Sequence, residues 1–280
     1  PDFKGVWKED MVALGHNRLS ILDLTSNSNQ PFKSSCGNYI LVFNGEIYNY
    51  LELKEELLFY DFKTSSDTEV LLASYIKWGK DCLHYLNGMF SFAVWNKKEQ
   101  SLFAARDRFG VKPFYYHNSM ESFYFASEIK TLHEAKISKN PNESVWASYL
   151  AYGSYGMPDE TFWDQIQQLP GGHYLEYKNK TLTISKWYFF EEEIKKHQEN
   201  KLPFKDAKTR YKELLLNSIS IRFRADVSVG FNISGGLDSS TLLAFVNQLE
   251  EGKNIEAYTF YTDDNRYDEL PWVEQMISLT

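Results

Sequence analysis

Val227-Ser228-Val229-Gly230-Phe231-Asn232-Ile233-Ser234-Gly235-Gly236-Leu237-Asp238-Ser239-Ser240 is the stretch on which the reading of this chain turns. Val227–Ile233 is β-rich and apolar and reads as a strand. It runs into a glycine pair set among serines, and then into an apolar helix over Asp238–Leu249. Paired glycines let a backbone approach a ligand with no Cβ in the way. A helix start offers unpaired amides and the positive end of a dipole, which suits an anion. Ser234, Ser239 and Ser240 add hydroxyl donors. Asp238 is out of place beside a bare phosphate and makes sense with a Mg²⁺ between them. The string lacks the lysine and spacing of a Walker loop and is not a G-x-G-x-x-G either. A glycine turn that merely starts a helix is the plainer alternative, but the strand–loop–helix context favours a pyrophosphate loop, of the kind that holds ATP.

Outward from the loop, helix (Asp206–Arg222), strand (Val227–Ile233), helix (Asp238–Leu249), strand (Ile255–Phe260) and helix (from about Asp268) alternate. That alternation predicts a parallel sheet covered by helices, with ligand beyond the carboxyl ends of the strands. Upstream the pattern differs. Asn38–Phe43 is a β-rich run that stops at Asn44-Gly45, a strong turn signal. Leu51–Tyr60 has helical spacing, with Leu51, Leu53, Leu57 and Leu58 apolar. A second helix follows Ser66, whose S-x-x-E with Glu69 fits a capping box, and ends at Gly79. Hairpins are predicted for Phe90–Trp95 with Ser101–Arg106, for Pro113–His117 with Phe123–Ala126, and for Gly172–Tyr177 with Thr181–Tyr188 around Asn179-Lys180. Helices mixed with hairpins give an α+β domain with antiparallel sheet over 1–190. Residues 191–203, charged and loop-like, read as a linker, and 204–280 as the start of a parallel α/β domain.

Composition narrows the class. The chain has 280 residues, 43% hydrophobic and 24% charged, the balance of a globular protein. A net charge of -8 argues against non-specific binding to nucleic acid. Cys36 and Cys82 have no metal-ligand spacing and are too few for a disulfide framework. No apolar run reaches membrane-spanning length, and no signal segment opens the chain. A cytoplasmic setting with reduced thiols is expected, and no membrane partner.

The string Ser234–Ser240 resembles the pyrophosphate loop of ATP pyrophosphatases, and blocks across nearly the whole chain resemble one family of that group, glutamine-hydrolysing asparagine synthase. The blocks are Gly15-His16-Asn17-Arg18-Leu19-Ser20-Ile21, Phe43-Asn44-Gly45-Glu46-Ile47-Tyr48-Asn49, Ser66-Asp67-Thr68-Glu69-Val70, Gly88–Ala93, Arg106–Pro113, Phe125–Lys130, Leu169–Gly172 and Tyr267-Asp268-Glu269. The resemblance implies an N-terminal class II glutamine amidotransferase, a sandwich of antiparallel sheets of the N-terminal-nucleophile type, followed by the start of an ATP-pyrophosphatase domain. By analogy Arg18 would grip the glutamine α-carboxylate. Glu46 and Asp67 would hold its α-ammonium. Asn44 and the Gly45 amide would form the oxyanion hole. Ile233, Ser234, Gly235, Gly236, Leu237, Asp238, Ser239, Ser240 and Phe260 would bind ATP, with Mg²⁺ reached through Asp238. Ile233 and Phe260 read equally well as core strand residues. Arg106 and Asp107 read as a structural pair between sheet and loop.

The implied reaction hydrolyses glutamine, adenylates aspartate with ATP, and amidates it with the ammonia, giving asparagine, AMP, pyrophosphate and glutamate. A homodimer is compatible with this. The family's nucleophile is a cysteine at the mature N-terminus. Pro1-Asp2 matches a block that lies downstream of it, and neither Cys36 nor Cys82 holds its position. The chain alone is therefore expected to lack glutaminase activity. A ligase acting on another carboxylate, or a non-catalytic chain that binds glutamine or ATP, is the alternative.

Overall fold

The computed structural model describes residues 1–198, 202–249, 256–264 and 266–279. They fall into two compact units, Pro1–His197 and Gln198–Thr280.

The first unit begins with a hairpin of β1 (Phe3–Glu9) and β2 (Val12–Arg18). A loop leads to the short β3 (Phe32–Lys33) and then to β4 (Tyr39–Ile47). Helices α1 (Tyr50–Glu56) and α2 (Asp67–Trp78) follow. Next come β5 (Gly88–Asn96), β6 (Ser101–Arg106), β7 (Tyr115–Asn118) and β8 (Phe123–Ala126). Helices α3 (Ile129–Glu134) and α4 (Glu143–Tyr152) precede β9 (Gln167–Gln168), β10 (His173–Lys178) and β11 (Thr181–Lys186). A last helix, α5, spans Phe190–Gln198.

A six-stranded antiparallel sheet, ordered β11-β10-β6-β5-β4-β3, is the middle layer. One face packs on α1 and α2 through Leu41, Phe43, Phe92 and Phe103 against Leu53, Leu57, Val70 and Leu71. The other face, through Ile40, Val42, Ala93 and Ala104, packs on the β1–β2 hairpin and the sheet β8-β7-β9. Burial on both faces explains why Tyr39–Phe43 reads as a continuous apolar run and not as an alternation. The three predicted hairpins form as antiparallel pairs. Asn179 and Lys180 join β10 to β11 with φ of 51° and 62°, the left-handed pair that a two-residue turn requires.

Four local expectations are corrected. Asn44-Gly45 is not a turn: β4 continues to Ile47, because β5 pairs with it through Ile47↔Gly88. The predicted helix Leu51–Tyr60 stops at Glu56, and Leu51 and Leu58 lie exposed while Leu53 and Leu57 are buried. The charged stretch after 190 is helical to Gln198, with Glu191–Glu193 in its first turn and Lys195–His197 in its last, matching the helix dipole at both ends. The capping box is half formed: the Ser66 hydroxyl accepts from the Glu69 amide, but the Glu69 carboxylate turns to the amides of Lys63 and Thr64. Helix α4 went unpredicted although Asn142 caps it and Gly153, at φ 69°, ends it.

The second unit contains α6 (Phe204–Arg222), β12 (Gly230–Asn232), α7 (Leu237–Leu249), β13 (Glu256–Tyr258) and α8 (Leu270–Leu279). β12 and β13 pair in parallel. Ile233, Leu243 and Val273 form its buried cluster, with Phe231 and Met276 against them.

Candidate functional site

Of the predicted residues of the first unit, Asn44, Gly45 and Glu46 lie on β4 and Asp67 reaches its edge at Ile47, whereas Arg18 is held by the loop Leu22–Asn29. β3 pairs with β4 only at Ile40 and Leu41, so from Phe43 onward that edge has no strand beside it. Alternate residues of a strand turn their N–H and C=O to the same side. Phe43 N–H donates to Gln30 Oε1 at 2.6 Å, and Ile47 N–H donates to Asp67 Oδ2 at 2.9 Å. Gly45, between them, turns its N–H to the same open edge. Its partner across the sheet, Phe90, fits the phase, since Phe90 spends its N–H and C=O on Asp107, just beyond β6 on the far side. Only glycine fits here: a Cβ on Gly45 would lie 2.2 Å from Met89 O and 2.7 Å from Phe90 Cα. Asn44 points to the opposite face, where its Nδ2 donates to Ser127 Oγ at 3.1 Å. It borders a cleft of 630 Å³ lined also by Lys4, His16, Phe92, Phe125 and Ser127.

Asp67 opens α2 and is buried. Burial pushes its carboxyl up, and the nearby charge of Glu46 adds to that, while the Ile47 amide works the other way; the net is a pKa raised to about 7. Two predicted ligands, Glu46 and Asp67, are therefore electrostatic neighbours, and a cation between them would relieve both.

Arg18 is buried and already engaged. Its Nη1 donates to Thr25 O at 2.7 Å and Asn29 Oδ1 at 3.0 Å, and its Nη2 donates to Leu22 O at 3.1 Å and to Asp23 O. Four of the five N–H donors of a guanidinium are thus spent on the loop Leu22–Asn29. That loop is the hub of the site. Asp23 accepts from Ser65 N at 2.9 Å and from Thr25 N and Oγ1, and Gln30 at its end holds Phe43. Burial tends to raise the Asp23 carboxyl, but its hydrogen bonds from Thr25, Ser65 and Ser28 outweigh it and take the pKa down to about 2.

Arg106 and Asp107 are structural, though not as an ion pair with each other. Arg106 donates to the carbonyls of Lys112, Leu169 and Gly110, and Asp107 accepts from the amides of Phe90, Phe109, Val111 and Lys112. Both cysteines are free thiols. Cys82 is buried in the core, and Cys36 lies at the other end of β4, beside Ser34. Six residues of strand, roughly 20 Å, separate Asn38 from Asn44.

In the second unit the loop Ser234–Ser240 links β12 to α7. Gly235 has φ 70°, and a Cβ there would lie 2.6 Å from Trp272 Cβ. Ser234 and Ser239 brace the loop: Ser234 N donates to Ser239 Oγ at 3.1 Å, and Gly236 N donates to Ser234 Oγ at 3.4 Å. Leu237, Asp238 and Ser239 open α7, where the first amides have no intrahelical acceptor. The Ser240 hydroxyl is buried and meets no partner among the described residues. Ile233 is buried in the core, whereas Phe260 is exposed.

Sequence reasoning passed over Gln30, His16 and Ser127. His16 and Ser127 stood inside blocks quoted above, and Gln30 carried no local signal, since its contact with Phe43 spans the fold.

Two family models match the chain in turn. A family model described as glutamine amidotransferase domain matches residues 1–188, and one described as asparagine synthase matches residues 210–279. "Asparagine synthetase [glutamine-hydrolyzing] 3" of Bacillus subtilis is 35% identical over 99% of this chain and 47% of its own length. "Putative asparagine synthetase [glutamine-hydrolyzing] 2" of Methanocaldococcus jannaschii is 33% identical over 99% of this chain and 57% of its own. The chain thus spans about half the length of these relatives. Among solved structures, the glutamine phosphoribosylpyrophosphate amidotransferase of B. subtilis aligns at TM-score 0.45 and 21% identity, over 63% of this chain and 35% of that one.

Proposed function

The chain belongs to the glutamine-hydrolysing asparagine synthase family, and from that premise we propose that it carries the ammonia-releasing half and the start of the ATP-using half of a glutamine-dependent ligase. Residues 1–190 are the amidotransferase domain, and 204–280 begin the synthetase domain. The observation that carries the reading is the open edge of β4, where the Gly45 amide is presented between Phe43 and Ile47, whose amides are already taken.

Gly45 N–H and the Asn44 amide donate to the oxyanion that develops when a glutamine carboxamide is attacked. Asp67 and Glu46 receive the α-ammonium, which draws the Asp67 proton off. Arg18 has one N–H outside the Leu22–Asn29 loop, so gripping the α-carboxylate with two bonds means trading a loop carbonyl for it. Its second task is to hold that loop, and through Asp23 and Ser65 the start of α2.

In the synthetase half, the α7 amides and the hydroxyls of Ser234, Ser239 and Ser240 hold the pyrophosphate of ATP. No cluster of three metal-ligating side chains occurs among the described residues. A Mg²⁺ that took one carboxylate, Asp238, and completed its shell with phosphate oxygens and water fits this site. With ATP bound, aspartate is adenylated and the ammonia then displaces AMP to give asparagine.

The test is a product assay on the complete gene product with glutamine, aspartate and Mg-ATP. Asparagine, AMP, pyrophosphate and glutamate in equal amounts are expected. AMP formation that needs a carboxylate other than aspartate would assign a different acceptor, and glutamine consumption uncoupled from all of these would remove the ligase reading.

A further inference from the structure

Beyond Leu41 the outer edge of β4 has lost its neighbouring strand. At Phe43, the amide and the carbonyl that a strand would have paired are taken by two side chains. Gln30 accepts from the amide at 2.6 Å, and the His16 ring lies 3.0 Å from the carbonyl oxygen. A carbonyl can only accept, so His16 Nε2 carries the proton and donates, and Nδ1 is left as a bare acceptor. Nδ1 is buried and meets no donor among the described residues. One anchoring bond and one tautomer therefore fix the ring. Burial lowers the His16 pKa and the Arg18 charge adds to it, against the Phe43 hydrogen bond, which works the other way; the net is below the usual histidine value.

We infer that His16 and Gln30 are positioning residues which set the Asn44 side chain and the Gly45 N–H where the oxyanion develops; the inference rests on the amidotransferase reading above. The Phe43 amide belongs to one peptide plane and the Phe43 carbonyl to the next. With both planes clamped, the strand enters Asn44 in a fixed orientation, and the Gly45 amide inherits it. A paired strand would clamp as firmly, but continued along the edge it would cover Gly45. Two side chains hold Phe43 and leave the next position open. The gain is a rate effect: a donor misplaced by about 1 Å costs up to about 10²-fold.

The experiment uses the complete gene product and three variants. His16→Ala removes the donor. His16→Gln returns an amide N–H close to the place of Nε2. Gln30→Met removes the acceptor at nearly constant volume. Oxyanion donors act only in the transition state, so His16→Ala and Gln30→Met should lower kcat for glutamine hydrolysis about 10- to 100-fold with KM for glutamine within about twofold. His16→Gln should recover most of the rate, and ammonia-driven synthesis should persist in all three. Loss in His16→Gln equal to that in His16→Ala, a change confined to KM, or equal loss with ammonia would overturn the assignment. A wild-type protein that hydrolyses no glutamine would sink the amidotransferase reading instead. Hydrogen exchange then judges the positioning alone: the Gly45 amide should exchange faster in His16→Ala and Gln30→Met than in His16→Gln, and equal exchange in all three would end it.

Discussion

On the proposed reading, Asp67 would couple stability to binding through one buried carboxyl. Its pKa is raised to about 7 in the fold, against about 4 in an unfolded chain. Between those values the folded state holds a proton that the unfolded state has released, so stability falls as pH rises from about 4 to about 7 and is level above. Asp67→Asn should flatten that slope, which urea melts across pH 4–8 would reveal; an unchanged slope would mean another group sets it. Ligand binding runs the opposite way, because an ammonium needs the ionised carboxylate. KM for glutamine should therefore rise below pH 7, by up to about tenfold per pH unit. A KM level from pH 5 to 8 would take Asp67 out of ammonium recognition. At Gly45 the expectation is steric. Gly45→Ala forces a Cβ against Met89 O and should cost about 1–3 kcal/mol of stability as well as glutamine use; a fully stable variant would mean that β4 and β5 part more readily than their pairing implies.

At the scale of the element, the two glycines of the Ser234–Ser240 loop are unequal. Gly235 needs a positive φ and lies against Trp272 of α8, so a larger residue there should unseat both the loop and the helix behind it. A Cβ on Gly236 meets only the Ser234 hydroxyl, at 3.3 Å. Gly235→Leu should abolish ATP–pyrophosphate exchange in the complete gene product, whereas Gly236→Ala should retain a measurable part of it. Equal effects would mean that the loop is not held as the structure has it. Helix α5 makes a different point: a charged run without apolar periodicity gave no helical signal, yet acids at its start and bases at its end complement the helix dipole.

Across the whole molecule, the division into two units predicts a division of labour. Asp67→Asn and Gly45→Ala should reduce synthesis driven by glutamine and spare synthesis driven by free ammonia. Gly235→Leu should stop both. Comparing the two nitrogen donors in the three variants is sufficient, and equal loss with both donors in Asp67→Asn would contradict the split.

The strand–loop–helix at Val227–Leu249, the hairpins and the alternation of the second unit were legible because each is a local pattern: a period, a glycine pair, a turn dipeptide. The family was legible too, as blocks in order along the chain. What Asn44-Gly45 does was not, because a local rule reads that dipeptide as a turn and only the pairing with β5 keeps it extended. Nor could the sequence tell that Arg18 is spent on the loop Leu22–Asn29, that burial beside Glu46 raises Asp67, or that Gln30 and His16 stand in for a strand at Phe43. Those facts depend on residues far apart in the chain meeting at one sheet edge, where the loss of solvent and the geometry of unpaired backbone decide which groups remain for a ligand.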